Sequence, residues 1–242
     1  MMEFNIEEYL NSLPNDVEII DVLNKNLEYL PDLSRFKSLN KLYCDFNKLT
    51  SLPVLPESLI YLSCRINKLT SLPILPKNLQ ALGCSDNQLT SLPILPESLI
   101  YLYCCNNQLT SLTVLPKNLI ELYCSNNKLK SLPILPESLK ELFCYNNGLT
   151  SLPVLNKFVL FNFNYNPIHK IIYGDIYFDD YDFNILNKNI ETWNNFRHLY
   201  YCLKYKKRFL KIMEPIIKKK YHPSYLYNLT EDDDLDEILN KW

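Results

Sequence analysis

Leucine recurs along this chain with a period that no single helix or strand produces. A segment beginning at Leu49 returns at Leu69, Leu89, Leu109, Leu129 and Leu149, a spacing of 20 residues, and each copy reads LTSLPxLPxxLxxLxCxxNx with small changes. The fourth copy carries Thr113 where its neighbours have proline, and the fifth begins Leu129-Lys130. A 22-residue copy precedes them from Leu27, and a 19-residue copy follows from Leu149, ending Asn166-Pro167-Ile168. One such turn cannot bury its own leucines, so successive turns must stack and share a continuous core. The segment LxxLxC predicts a short strand in each turn, and strands added in parallel at about 4.8 Å give a solenoid on the order of 40 Å long. Val17, Ile20 and Val22 predict a divergent first strand, which makes about eight rungs.

Alternation along a strand turns Leu62 and Cys64 inward and Tyr61, Ser63 and Arg65 outward. The return path carries LPxLP, whose prolines remove amide donors and favour extended polyproline geometry, so the outer wall is expected to be thin and mostly non-helical. Asn47, Asn67, Asn87, Asn107, Asn127, Asn147 and Asn166 form one column. Their amides are expected to bond the backbone of neighbouring turns, where an unpaired group would cost about 1 to 3 kcal/mol. The pattern divides the chain into an amino-terminal cap (1–26), the repeats (27–168) and a mostly helical capping segment (169–242).

Beyond Ile168 the pattern changes. Residues 171–187, rich in aromatics and acids, read as a connecting cap. From about Asn189 the apolar spacing is helical through Trp193, Phe196, Tyr200, Leu203, Leu210 and Met213, and Pro215 should end or bend that helix. Thr230, followed by Glu231, Asp232 and Asp233, predicts the start of a last helix with an apolar stripe of Leu235, Ile238, Leu239 and Trp242. The expected job of this segment is to cover the leucines of the last rung.

Composition narrows the chemistry. Three glycines in 242 residues cannot build a phosphate-cradling loop, and a count of three histidines argues against a histidine-rich metal site. The first residues, Met1-Met2-Glu3-Phe4-Asn5-Ile6-Glu7-Glu8, carry acids where a signal peptide needs a basic region, and no run of 18 apolar residues occurs. A soluble intracellular protein with reduced thiols is the expectation. Six of the eight cysteines, Cys44, Cys64, Cys84, Cys104, Cys124 and Cys144, fall in one inward column. A row of thiols advancing by about 4.8 Å does not converge on a metal ion or offer disulfide geometry readily, so they read as small buried hydrophobes. Cys105 should face outward, and Cys202 has no explanation from the repeat.

The core LxxLxCxxNxL resembles the leucine-rich repeat family over residues 17–168, with cysteine in the third leucine position. That resemblance implies an α/β fold: a leucine-rich repeat solenoid with parallel short strands on the concave face, a mostly extended convex side and a C-terminal α-helical cap. The short LPxLP repeat is similar to the 20-residue repeats of effectors that bacteria inject into host cells. The cysteine column and the Asn/Lys/Tyr-rich composition are more similar still to repeat proteins of giant DNA viruses, as are Lys220-Tyr221-His222-Pro223 and the stretch from Leu235 to Trp242. The resemblance implies a viral protein binding a host protein in the host cytoplasm.

Outward positions of the strands are free of core constraints, and the later rungs concentrate aromatics there. Tyr61, Tyr101, Tyr103, Tyr123, Phe143 and Tyr145 are the candidate partner-binding residues, since tyrosine buries apolar area at small entropic cost and keeps a hydroxyl. Two plainer readings stand beside this one: tyrosine is a good strand residue, and the carboxy-terminal segment could fold back over the face. Between Arg197 and Lys220 lie nine basic residues and one acid, so Lys204, Lys206, Lys207, Arg208 and Lys211 are an alternative nucleic-acid or anionic-surface site, and a structural role in a virion is a third possibility. No cofactor is implied. His198 and His222 lack a nucleophile and orienting acid, and Cys202 lacks the Cys-x-Asp motif of effector ubiquitin ligases, so no enzyme is expected.

Overall fold

A computed structural model of the chain describes residues 4–153, 155, 160–173 and 182–197. Eight three-residue strands form one parallel sheet in chain order: β1 (Ile19–Asp21), β2 (Lys41–Tyr43), β3 (Tyr61–Ser63), β4 (Ala81–Gly83), β5 (Tyr101–Tyr103), β6 (Glu121–Tyr123), β7 (Glu141–Phe143) and β8 (Leu160–Asn162). The central residues of the strands register from Ile20 through Leu42, Leu62, Leu82, Leu102, Leu122 and Leu142 to Phe161, and every one is buried. The rung count, the thin return wall and the solenoid all match the periodicity. The strand ladder runs on to the cysteine of each turn, because the amides of Cys64, Cys84, Cys104 and Cys124 each donate to the next rung at 2.8 Å.

Each turn is closed by the asparagine column. Asn107 is representative: its Oδ1 accepts from the Leu89 amide at 2.9 Å, and its Nδ2 reaches the carbonyls of Cys84 (3.0 Å), Cys104 (3.3 Å) and Cys105 (3.1 Å). One side chain thus ties a turn to the preceding one and satisfies backbone groups that leave the sheet inside the core. Just before it, the backbone crosses into the left-handed region at Phe46, Ile66, Asp86, Asn106, Asn126, Asn146 and Tyr165, with φ between 50° and 58°. Asparagine and aspartate tolerate that conformation; the phenylalanine and the β-branched isoleucine do not, and give no hint of it in the sequence. On the surface, Asn106, Asn126 and Asn146 form a second amide ladder, each Nδ2 donating to the carbonyl or carboxylate oxygen one turn back, beginning at Asp86.

Return segments place Leu55, Leu75, Leu95 and Leu115 inside and turn Val54, Ile74, Ile94, Val114 and Ile134 almost wholly to water. A two-turn alternation is superimposed here, with Glu57-Ser58, Glu97-Ser98 and Glu137-Ser138 alternating with Lys77-Asn78 and Lys117-Asn118. The hydroxyls of Ser58, Ser98 and Ser138 donate at 2.7 Å to the carbonyls of Leu39, Leu79 and Leu119 one turn back.

The ends of the core are covered. Helix α1 (Ile6–Ser12) is capped by Asn5, whose side chain accepts from the amides of Glu7 and Glu8, and it buries Ile6 and Leu10. Two of the acids that argue against a signal peptide, Glu7 and Glu8, therefore sit in a helix first turn, where the dipole favours them. At the other end lie α2 (Pro167–Tyr173) and α3, helical over residues 183–197. Helix α3 starts about six residues before the expected Asn189, because the Asp182 carboxylate accepts from the amides of Asn184 and Ile185. Its Leu186 and Ile190 are fully buried, and Trp193 Nε1 donates to the Thr150 carbonyl at 2.9 Å. The chain divides into two compact units, Met1–Asn194 and Asn195–Trp242, and only residues 195–197 of the second are described. Tyr200, Leu203, Leu210, Met213, Pro215 and the helix expected after Thr230 lie outside the described residues, as do Cys202, His198, His222 and the basic candidates Lys204, Lys206, Lys207, Arg208 and Lys211.

Candidate functional site

Three columns of outward residues face solvent on the sheet. The first position of the strands carries Tyr61, Ala81, Tyr101, Glu121 and Glu141, and the third carries Ser63, Gly83, Tyr103, Tyr123 and Phe143. The position two residues beyond each strand carries Arg65, Ser85, Cys105, Ser125 and Tyr145. Neighbouring strands are close enough that large outward side chains must interlock rather than stand free. Tyr103 meets Tyr123 edge-on at 5.0 Å between ring centres, and Tyr123 meets Phe143 at 4.7 Å in the same manner. Tyr43 and Tyr61 make a separate pair at 5.1 Å. All six candidate aromatics are half-buried, and Tyr103, Tyr123 and Phe143 are interlocked with one another.

Between these two groups the fourth rung is low. Ala81, Gly83 and Ser85 are small, and the hollow above them, of about 560 Å³, is walled by Tyr61 and Arg65 on one side and Tyr101, Tyr103, Cys105 and Tyr123 on the other. Four of the six candidate residues, Tyr61, Tyr101, Tyr103 and Tyr123, line it. Phe143 joins through the Tyr123 ring, while Tyr145 is half-buried and does not line it. The serines of these columns are less available than alternation alone implies: Ser63, Ser85 and Ser125 are buried beneath their bulkier neighbours.

Charge on this face is arranged at its two ends. The Tyr103 hydroxyl donates to Glu121 at 2.6 Å, and the Tyr123 hydroxyl donates to Glu141. Burial, then the Glu121 contact, pushes the Tyr103 phenol well above its ordinary value, and the Glu141 hydrogen bond, then burial, pushes Tyr123 up to about 12. Both rings remain neutral donors at any physiological pH. At the other end the Arg65 guanidinium lies over the Tyr103 ring, 4.9 Å from its centre. Asp45 Oδ1 accepts from the Ser63 hydroxyl and the Arg65 amide, both at 2.6 Å. Arg65 and Gly83 stand outside the six candidate binding residues, although both shape the hollow. Arg65 is the one basic residue in its column, and Gly83 is the one glycine in a strand among the described residues.

The six column cysteines are free and buried, and burial pushes each thiol upward. The thiols of Cys44 and Cys64 point to the carbonyls of Ser63 and Gly83. Cys105 borders the hollow, and burial raises it too, outweighing the Ser125 hydrogen bonds and the Arg65 charge that favour its thiolate. Among the described residues no group of three or more His, Cys, Asp or Glu could hold a metal ion, and no helix is long and apolar enough to cross a membrane.

In-register parallel strands, an asparagine ladder and a short extended return define a repeat solenoid. The model of the leucine-rich repeat family, "Leucine Rich repeats (2 copies)", matches residues 117–157. A Shigella effector leucine-rich repeat domain is similar at 32% identity over 67% of this chain and 74% of its own, with a TM-score of 0.60. The chain belongs to the leucine-rich repeat family. It is also similar to YopM from Yersinia enterocolitica at 32% identity and TM-score 0.60, over 65% of this chain but only 39% of YopM. The functional domain of InlJ from Listeria monocytogenes, described as including a cysteine ladder, matches at 31% identity over 62% of this chain and 40% of its own, with TM-score 0.56. No curated protein matches the sequence.

Proposed function

We propose that the chain is a non-enzymatic binding scaffold that holds a protein partner on the strand face, over the hollow between Tyr61 and Tyr123. The observation that carries this reading is the interlocked column Tyr103, Tyr123 and Phe143 beside that hollow. Rings fixed by their neighbours lose little further entropy on binding, and they present apolar edges with hydroxyls already oriented. The rest of the face supports binding over chemistry. Glu121 and Glu141 are engaged by tyrosines and Asp45 by Ser63 and the Arg65 amide, burial raises the Cys105 thiol, and no described group pairs a nucleophile with a base.

The partner we propose is a protein of a host cell, met in the host cytoplasm. The likeness to the effectors of Yersinia and Shigella supports this choice, and the giant-virus resemblance of the repeat points to a viral protein using the fold to the same end. Affinity capture from host lysate with the wild type and a Tyr103→Ala/Tyr123→Ala pair tests the reading. The pair should lose partners that the wild type retains. Recovery of the same partners by both rejects the strand face as the binding surface. Retention that falls steeply with salt would instead favour phosphate-driven binding, since an aromatic interface changes little.

A further inference from the structure

Among the described residues Arg65 is the only charged one that lines the hollow, and it is held there in an unusual way. A Cβ built on Gly83 would sit 2.7 Å from Arg65 Nε and 3.2 Å from Ser63 Oγ. The guanidinium therefore occupies the volume that any other residue at position 83 would fill. It also lies over the Tyr103 ring. Arg65 Nε is buried and has no hydrogen-bond partner, Arg65 lines the hollow, and its guanidinium donates to no acceptor among the described residues. No carboxylate among the described residues forms an ion pair with it. Asp45, the acid beside it, is nearly buried and spends Oδ1 on the Ser63 hydroxyl and the Arg65 amide. A guanidinium that is bedded, oriented and unpaired has already lost the freedom and part of the hydration that forming an ion pair would cost it.

We propose that this hollow is a seat for a side-chain carboxylate carried by an acidic segment of the protein partner, taken by the Nη atoms of Arg65. The assignment rests on the strand-face reading above and adds the chemistry of the partner. The planar fork of arginine matches a carboxylate, and Tyr61 and Tyr101 flank the space it would enter. A single guanidinium balances a single negative charge. A phosphate dianion would meet no second cation among the described residues that line the hollow, so the monoanion is the better fit. Glu121 and Glu141 lie three and four strands beyond β3 in the sheet order, about 14 to 19 Å along the face at the usual strand spacing. They repel an acidic segment from that end and set its polarity: the acid at Arg65, then neutral or aromatic residues over Tyr101 and Tyr123, then a neutral or basic residue toward Glu121.

Panning a phage-displayed library of random dodecapeptides on the full chain tests the seat. Enriched peptides should share an Asp or Glu at one aligned position, and exchange of that acid for its amide should weaken binding about tenfold or more. Arg65→Gln should abolish the preference for the acid, and Arg65→Glu should replace it by a preference for Lys or Arg. Gly83→Ala keeps the charge but pushes the guanidinium off its bed, and it should lose most of the preference while thermal unfolding shows the fold intact. A selection that returns no shared acid, or peptides bound equally by wild type and Arg65→Gln, overturns the seat. The two readings separate in the Tyr103→Ala/Tyr123→Ala pair. Peptides sensitive to the tyrosines but not to Arg65 leave the strand face standing and remove the seat, and peptides sensitive to neither remove both.

Discussion

Raising the pH should unfold this solenoid through its cysteines. All six column thiols are buried, and burial pushes each above its ordinary value, Cys84 up to about 12. An unfolded thiol ionises near pH 8.5, so above that pH the unfolded chain gives up protons that the folded chain must keep. The thiols therefore leave stability intact below about pH 8.5 and erode it as pH rises toward their folded values. Each thiol then costs about 0.8 kcal/mol at pH 9 and about 1.4 kcal/mol at pH 9.5, and six together cost about 5 and about 8 kcal/mol. A domain typically has about 5 to 15 kcal/mol to lose, so the column alone can bring the protein to its limit before lysine and tyrosine titrate. Urea unfolding between pH 7 and pH 9.5, under a reductant, measures the slope. A Cys84→Ala/Cys104→Ala pair starts from lower stability because it leaves cavities, but it should lose about a third of the pH dependence. A urea midpoint that stays constant across this range, or a slope that the pair leaves unchanged, would refute the account.

Three further outcomes follow from the same contacts. Asn107→Ala orphans the buried Leu89 amide and thins the bonding at Cys84 and Cys104, and should cost about 2 to 4 kcal/mol by urea denaturation, whereas exposed Gln108→Ala in the same turn should stay within about 0.5 kcal/mol. Ile66→Asn should stabilise the protein by about 1 kcal/mol, seen as a raised Tm, because isoleucine is held at φ 53° where asparagine is tolerated. Adjacent residues of one return segment should respond in opposite ways: Ile94→Lys, 87% exposed, should leave stability unchanged, and Leu95→Ala, 6% exposed, should cost about 2 to 5 kcal/mol in the same denaturation series.

Much of the molecule could be read from the chain because a solenoid repeats its contacts. Leu62 meets Leu42 and Leu82, Cys64 follows them into the core, and Asn67 bonds one turn back, so identifying one turn identifies its neighbours. The left-handed residue before each ladder asparagine could be read at Asn106, Asn126 and Asn146 but not at Phe46 or Ile66, whose side chains carry no trace of the backbone they are made to adopt. The start of α3 was signalled by Asp182, yet the apolar spacing drew attention to the more regular stretch beyond it.

By itself the sequence determined the stack, its inward columns and which residues share the strand face. These follow from a 20-residue translation that puts like against like. Only the tertiary structure decided what the face became: tyrosines interlocked edge to face, serines sunk beneath them, and one guanidinium laid in the space left by a glycine. The reason is physical. Core positions repeat the same side chain at the same spacing, whereas the strand face sets unlike side chains beside one another, and the room each one takes depends on the size of its neighbour.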